Sequence, residues 1–212
     1  MSLYHWILFI SWLISTAAGL FLWLQVLSAA STRDPSAAKG TAWPAVLYSL
    51  TAAMSPWKKE SARRHLFTYG AGMVFHAGIF LSFFWLILRF FDLRLVPPIR
   101  TASTVIIFLS ALCGVLILIK RISSPPMRYF SNPDDYFSNL MVTGFLVLMG
   151  VTLVQERLQP ALFVYASALL LYIPLGKLRH AIYFVFTRAY LGLFYGKRGV
   201  WPKSRHKAWQ IK

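Results

Sequence analysis

The sequence predicts an all-α integral membrane protein, a five-helix transmembrane bundle with its N-terminus outside and its C-terminus inside. Three observations lead to that fold class. Of the 212 residues, 58% are hydrophobic and only 13% charged, with a mean hydropathy of +0.58, whereas a soluble domain is nearer a quarter charged. Five apolar stretches are each long enough to cross a hydrocarbon core about 30 Å thick, and no two-residue alternation competes with them. The basic residues are distributed unevenly about those stretches, which sets the orientation.

The first span runs from about Leu3 to Ser28. It lacks a basic n-region and a small-residue cleavage site after its apolar run, so it reads as a retained span and not as a signal peptide. A long inner loop follows, Ala29 to Arg64, in which Ser31-Thr32-Arg33-Asp34-Pro35 and Ser55-Pro56-Trp57-Lys58-Lys59 are turn and interface signals. Between them, Trp43 to Met54 has the apolar content of a short helix lying along the membrane surface. The second span covers about His65 to Phe91 and the third Thr101 to Ile119. Pro97-Pro98 and Pro125-Pro126 mark boundaries, because proline lacks the N–H that a helix interior needs. The fourth span is about Phe137 to Val154 and the fifth Ala161 to Phe186, followed by a basic tail over 195–212. No internal repeat or low-complexity tract interrupts the chain, so residues 1–212 read as one domain.

With the N-terminus outside, eighteen Lys and Arg fall on the inner side, and only Arg89, Arg94, Arg100 and Arg157 fall outside. The formal charge of +16 is therefore mainly a topology signal, with attraction to anionic lipid headgroups or an acidic partner. It is not a nucleic-acid footprint, since the chain offers no base-reading module. The expected location is the cell inner (cytoplasmic) membrane, as a multi-pass protein.

Three histidines carry the chemistry. His65 and His76 lie eleven residues apart within one predicted helix, which returns them to the same face to within about 20° and separates them by roughly 16 Å along the axis. The fifth span enters from outside near Ala161, and at 1.5 Å per residue His180 comes to lie about 28 Å inward. That is the level expected of His65 at the start of the second span. Ionisable groups in hydrocarbon face the bundle interior, usually for a functional reason. His65 and His180 suit the axial ligands of a haem; the bland alternative is histidines hydrogen-bonded between helices. The single cysteine, Cys113, is a packing residue, and no Cys-x-x-Cys-His is present, so a haem here is of b type and held non-covalently. Arg63, Arg64, Arg128, Lys177 and Arg179 stand at the level of the propionates of such a haem, although positive-inside decoration accounts for them equally well; Asp135 offers Arg128 an internal partner that topology alone would not demand. Gly70, Gly72 and Gly78 either let helices approach or leave space for a porphyrin.

Leu66-Phe67 through Gly72-Met73-Val74-Phe75-His76, then Lys120-Arg121, Ser124-Pro125, Arg128, Ser131 and Asp135, then Pro174-Leu175-Gly176-Lys177-Leu178-Arg179-His180 follow one another in order. In these motifs the chain resembles the cytochrome b subunits of respiratory nitrate reductases, the gamma type. That group takes in the membrane cytochromes of heterodisulfide-reductase-like and sulfite-reductase-associated complexes. The resemblance implies haem b and a quinone, menaquinone or ubiquinone, as substrate. It also implies iron-sulfur or flavoprotein partner subunits on the inner face. It implies His65 and His180 as ligands of an inner haem, while Leu162 stands where the nitrate-reductase type has a further histidine. His76 is left without its usual partner, so one haem is expected and a second remains open.

The resulting expectation is an electron-transfer subunit of a respiratory oxidoreductase, not a complete enzyme, because no nucleophile and base pair or hydrolase metal spacing is present. A structural membrane anchor whose haem sites are reduced or lost is the alternative, to which Leu162 is suited. A small transporter fits less well, for want of repeat symmetry or a mid-membrane carboxylate.

Overall fold

The computed structural model describes residues 2–29, 37–58 and 60–202; the Ser31 to Pro35 turn cluster, Lys59, His206 and Lys212 lie outside the described residues. Every regular element among them is helical. In order they are α1 (Leu3–Ala29), α2 (Ala42–Leu50), α3 (Glu60–Arg64), α4 (Leu66–Phe90), α5 (Pro97–Ser123), α6 (Pro125–Tyr129), α7 (Pro133–Val154), α8 (Gln159–Tyr172) and α9 (His180–Lys197). Short 3-10 turns at Ala52–Met54, Glu156–Leu158 and Lys177–Arg179 complete the set. The helices α1, α4, α5 and α7 are each long and apolar enough to cross a membrane, and α8 with α9 adds a fifth only if the two form one broken span. The protein is thus an all-helical membrane protein with four to five membrane-length apolar segments.

Three boundaries differ from the sequence expectation, each for a backbone reason. Pro97-Pro98 does not precede the third span but opens it, because proline at the first helical positions gives up an N–H that has no partner there anyway. His65 is not inside the second span; it occupies the turn between α3 and α4. The fifth stretch is interrupted after Tyr172, where Pro174 removes a backbone donor and its ring obstructs the carbonyl four residues back.

The chain forms two compact units, Met1–Leu20 with Phe67–Arg179 and Phe21–Leu66 with His180–Lys212. In the first, α7 packs against both α5 and α8. Its core is filled by Phe145, Leu146 and Met149 of α7, Leu162, Phe163 and Ala166 of α8, Ile107 of α5 and Trp85 of α4. Cys113 packs against this core at its edge. Close approach of α4 to α5 is made at Gly78, where any Cβ would collide with the Ser110 side chain. The Ser110 hydroxyl uses that proximity to donate to the Val74 carbonyl at 2.9 Å.

In the second unit α2 packs along α9, and the stretch expected on the membrane surface is a helix whose Ala45, Val46 and Ser49 are buried. Gly192 and Gly196 make the contact possible. A Cβ at Gly192 would run into the Val46 backbone, and one at Gly196 would lie 2.8 Å from the Thr41 carbonyl oxygen. This is the small-xxx-small spacing by which helices approach in membranes. Arg188 donates from Nε to the Ser49 carbonyl at 2.9 Å, fixing the register of the pair.

Gly192→Ala is expected to destabilise the protein by about 1–3 kcal/mol through overpacking. Gly70→Ala, whose Cβ would meet nothing within 4 Å, should be neutral or slightly stabilising. Thermal unfolding in detergent, followed by circular dichroism, checks the pair; a Gly192→Ala protein as stable as wild type would contradict the packing.

Candidate functional site

His76 is the candidate ligand whose geometry is most fully defined. It lies on α4 with its side chain exposed, and its Nδ1 is 2.7 Å from the Gly72 carbonyl oxygen. A carbonyl only accepts, so Nδ1 carries the proton and Nε2 keeps its lone pair. An imidazole that ligates iron is held in this way, its other nitrogen bonded to a carbonyl. Gly72 sits one turn below it on the same face, and neither Gly70 nor Gly72 has any atom within 4 Å of where a Cβ would stand. The two readings of the α4 glycines therefore divide: Gly78 serves helix approach, while Gly72 leaves open surface beside His76, and Gly70 opens a face about 120° away from it. The residues present fit an axial imidazole here.

His65 and His180 fall in the same compact unit, and His76 falls in the other. Both His65 and His180 are exposed, His65 at the turn before α4 and His180 as the first residue of α9. Equal depth for His65 and His180 needs an unbroken helix from Ala161 to His180, and a shared face for His65 and His76 needs one helix through both. The breaks after Tyr172 and at His65 remove both conditions, leaving the pair linked by their common unit and by the motif around Pro174. His5 is buried beneath Phe163, with ring centroids 5.0 Å apart, and its Nδ1 lies 2.7 Å from the Ser2 hydroxyl. Leu162 is fully buried in the core.

The expected basic cluster is distributed differently from the sequence reading. Asp135 does not take Arg128 as its partner. Its carboxylate receives Lys177 Nζ at 2.5 Å and Arg121 Nη1 at 3.3 Å, while Arg121 also donates to Ser131 Oγ at 2.8 Å. Arg128 is exposed on α6, as are Arg63 and Arg64 on α3 and Arg179 in the turn before α9. The inner-loop motif therefore does come together through Arg121, Ser131 and Asp135.

A neighbouring group was not visible in the sequence. Asp134 accepts the Lys177 backbone N–H at 2.8 Å and the Tyr172 hydroxyl, and Ser138 in turn lies 2.8 Å from that hydroxyl. Because the Tyr172 proton goes to Asp134, Ser138 is the donor in the second bond. These bonds tie the N-terminus of α7 to both sides of the break after Tyr172. The same N-terminus is closed by a capping box, in which Asn132 Oδ1 accepts from the Asp135 N–H and Asp135 Oδ2 accepts from the Asn132 N–H.

At the opposite end of α4, Glu156 gathers Arg89, Arg94 and Arg100 at 3.2, 3.5 and 3.7 Å. Arg89 is buried there, and its carbonyl accepts from the Gln159 amide. The same end of α4 borders an apolar pocket of about 400 Å³, walled by α1 residues around Phe9, by Phe83, Ile87 and Phe90 of α4 with Phe91 just beyond it, and by Leu170 of α8.

Asp134→Ala removes the acceptor of two bonds at a helix break and is expected to destabilise the protein by about 1–3 kcal/mol. Arg128→Ala should change stability by less than about 0.5 kcal/mol. Equal losses in thermal unfolding would contradict the assignment of the clamp to Asp134.

No protein-family model, curated protein or solved structure matches the chain.

Proposed function

We propose that the protein is a b-type cytochrome subunit that passes electrons between a membrane quinone and an iron-sulfur or flavoprotein partner docked on its inner face. The observation that carries this reading is His76, with Nδ1–H given to the Gly72 carbonyl and Nε2 presented on an open helix surface. A haem supplies one-electron chemistry when bound; the protein's part is ligation, orientation and charge. His65 and His180 would supply the ligands of one haem in the unit they share, and His76 would hold a second iron site or border the quinone. Arg63, Arg64, Arg128 and Arg179 are exposed, and Arg63, Arg128 and Arg179 would be the guanidinium groups to meet anionic propionates. Lys177 is engaged by Asp135 and contributes less to that role than its position in the sequence implies.

The orientation proposed with this function has the N-terminus outside, from the excess of Lys and Arg in the inner segments. The electron-transfer partners then meet the side bearing α6 and the Lys177–Arg179 turn.

The anchor reading has one observation in its favour. Leu162, which cannot ligate iron, is fully buried in a core with Phe163, Ala166 and Leu169. The two readings part in a reduced-minus-oxidised absorption spectrum of the purified protein. A sharp b-type α-band is expected in the wild type, weakened in His76→Ala and removed or shifted to high spin in His180→Ala. No band in the wild type would leave the anchor, and an unchanged low-spin band in His180→Ala at full haem content would overturn His180 as a ligand.

A further inference from the structure

The apolar pocket and the arginine group beside it lie at the same end of α4 and belong to the same compact unit. Phe90 and Phe91, which line the pocket, directly follow Arg89 in the chain, and Arg94 is three residues beyond Phe91. Arg89, Arg94 and Arg100 converge on Glu156, so their head groups are close together at the end of α4 where the lining residues Phe90 and Phe91 follow Arg89 in the chain. The segments concerned, 89–100 and 156–157, hold four arginines against Asp92 and Glu156, a net charge of +2. Arg89 is buried and shares the Glu156 oxygen at 3.2 Å, whereas Arg94 is 80% and Arg100 44% exposed, at longer distances. One carboxylate does not neutralise three guanidinium groups. The excess is carried by the two that face outward.

We infer that this is a binding site for one anionic phospholipid, an acyl chain lying in the pocket and the phosphate held by Arg94 and Arg100. The volume is in the range of small-ligand sites, and the wall is built of Leu, Ile, Phe and Trp side chains, so recognition inside it is by shape and apolar contact alone. A quinone ring would need a polar partner within the pocket, and the lining provides only the Trp12 indole. A phosphodiester needs cationic partners outside that lining, and Arg94 follows the lining residue Phe91 by three positions in the chain. Guanidinium groups match phosphate oxygens with paired donors. The site does not depend on the haem reading, and its test is separate from the spectrum described above.

The full chain, stripped of lipid in detergent, is titrated by native mass spectrometry with phosphatidylglycerol, with phosphatidylcholine of the same acyl chains, and with an isoprenoid quinone. The first phosphatidylglycerol should bind more tightly than phosphatidylcholine by roughly fivefold for each of the two arginines. Arg94→Gln with Arg100→Gln should erase that preference while leaving the helical spectrum intact, since both side chains are exposed and Glu156 keeps Arg89. Ile87→Trp, a substitution at the half-exposed wall of the pocket, should weaken the first lipid of either headgroup. Equal binding of the two lipids, a preference that survives the double substitution, indifference to Ile87→Trp, or displacement of phosphatidylglycerol by the quinone would each overturn the site.

Discussion

The constraint on which the rest of this structure depends is that backbone groups in an apolar medium have no water to bond. Few helix starts among the described residues answer the open N–H groups with side chains: α2, α5, α6 and α8 have no side-chain cap, and the last three carry proline in the first turn instead. The N-terminus of α7 does so twice. Asn132 and Asp135 close their own helix, and Asp134 reaches across to the Lys177 N–H beyond the break that Pro174 imposes. Two adjacent aspartates thus make the interruption of the fifth apolar stretch tolerable. Arg121 and Lys177 bring compensating charge to Asp135, while Asp134 is answered by the Tyr172 hydroxyl and the Lys177 N–H.

That interruption bears on function. An unbroken helix would have carried His180 along one face and fixed its depth; a break after Tyr172 makes His180 the first residue of a new helix instead. The direction in which its imidazole is delivered is then set by α9, which is itself registered against α2 through Gly192, Gly196 and the Arg188 bond to Ser49. The placement of His180 is a matter of helix packing within a unit more than of helix periodicity along the chain.

The long apolar helices were legible in the sequence because α1, α4, α5 and α7 are continuous hydrophobic runs, and length alone identifies them. The exceptions have local causes. Apolar residues continue on both sides of Pro174, so hydropathy did not register the break even though the residue responsible was in view. Pro97-Pro98 reads equally as a stop or a start, and only its position in the first turn of α5 decides between them. His65 adjoins an apolar run that begins at Leu66, and a turn of one residue leaves no compositional trace. Of the polar site, the spacing of Arg121, Ser131 and Asp135 was visible, but Arg128 was the nearer arginine in sequence and the wrong one in space. Asp134 could not be found, because its partners Tyr172 and Lys177 are about forty residues away and meet it only through the fold. The Gly192-x-x-x-Gly196 spacing was present to be read and carried a packing role that composition alone does not show.

The proposed electron-transfer role rests on the imidazoles: one on an open helix surface with its Nδ1 committed to a carbonyl, and two in a single unit with exposed arginines nearby in the chain. Pyridine haemochrome measured against polypeptide in the purified wild-type protein tests that claim most directly. The account predicts one haem b per chain, or two if His76 also obtains a partner; a protein that is folded, helical and free of haem would contradict it.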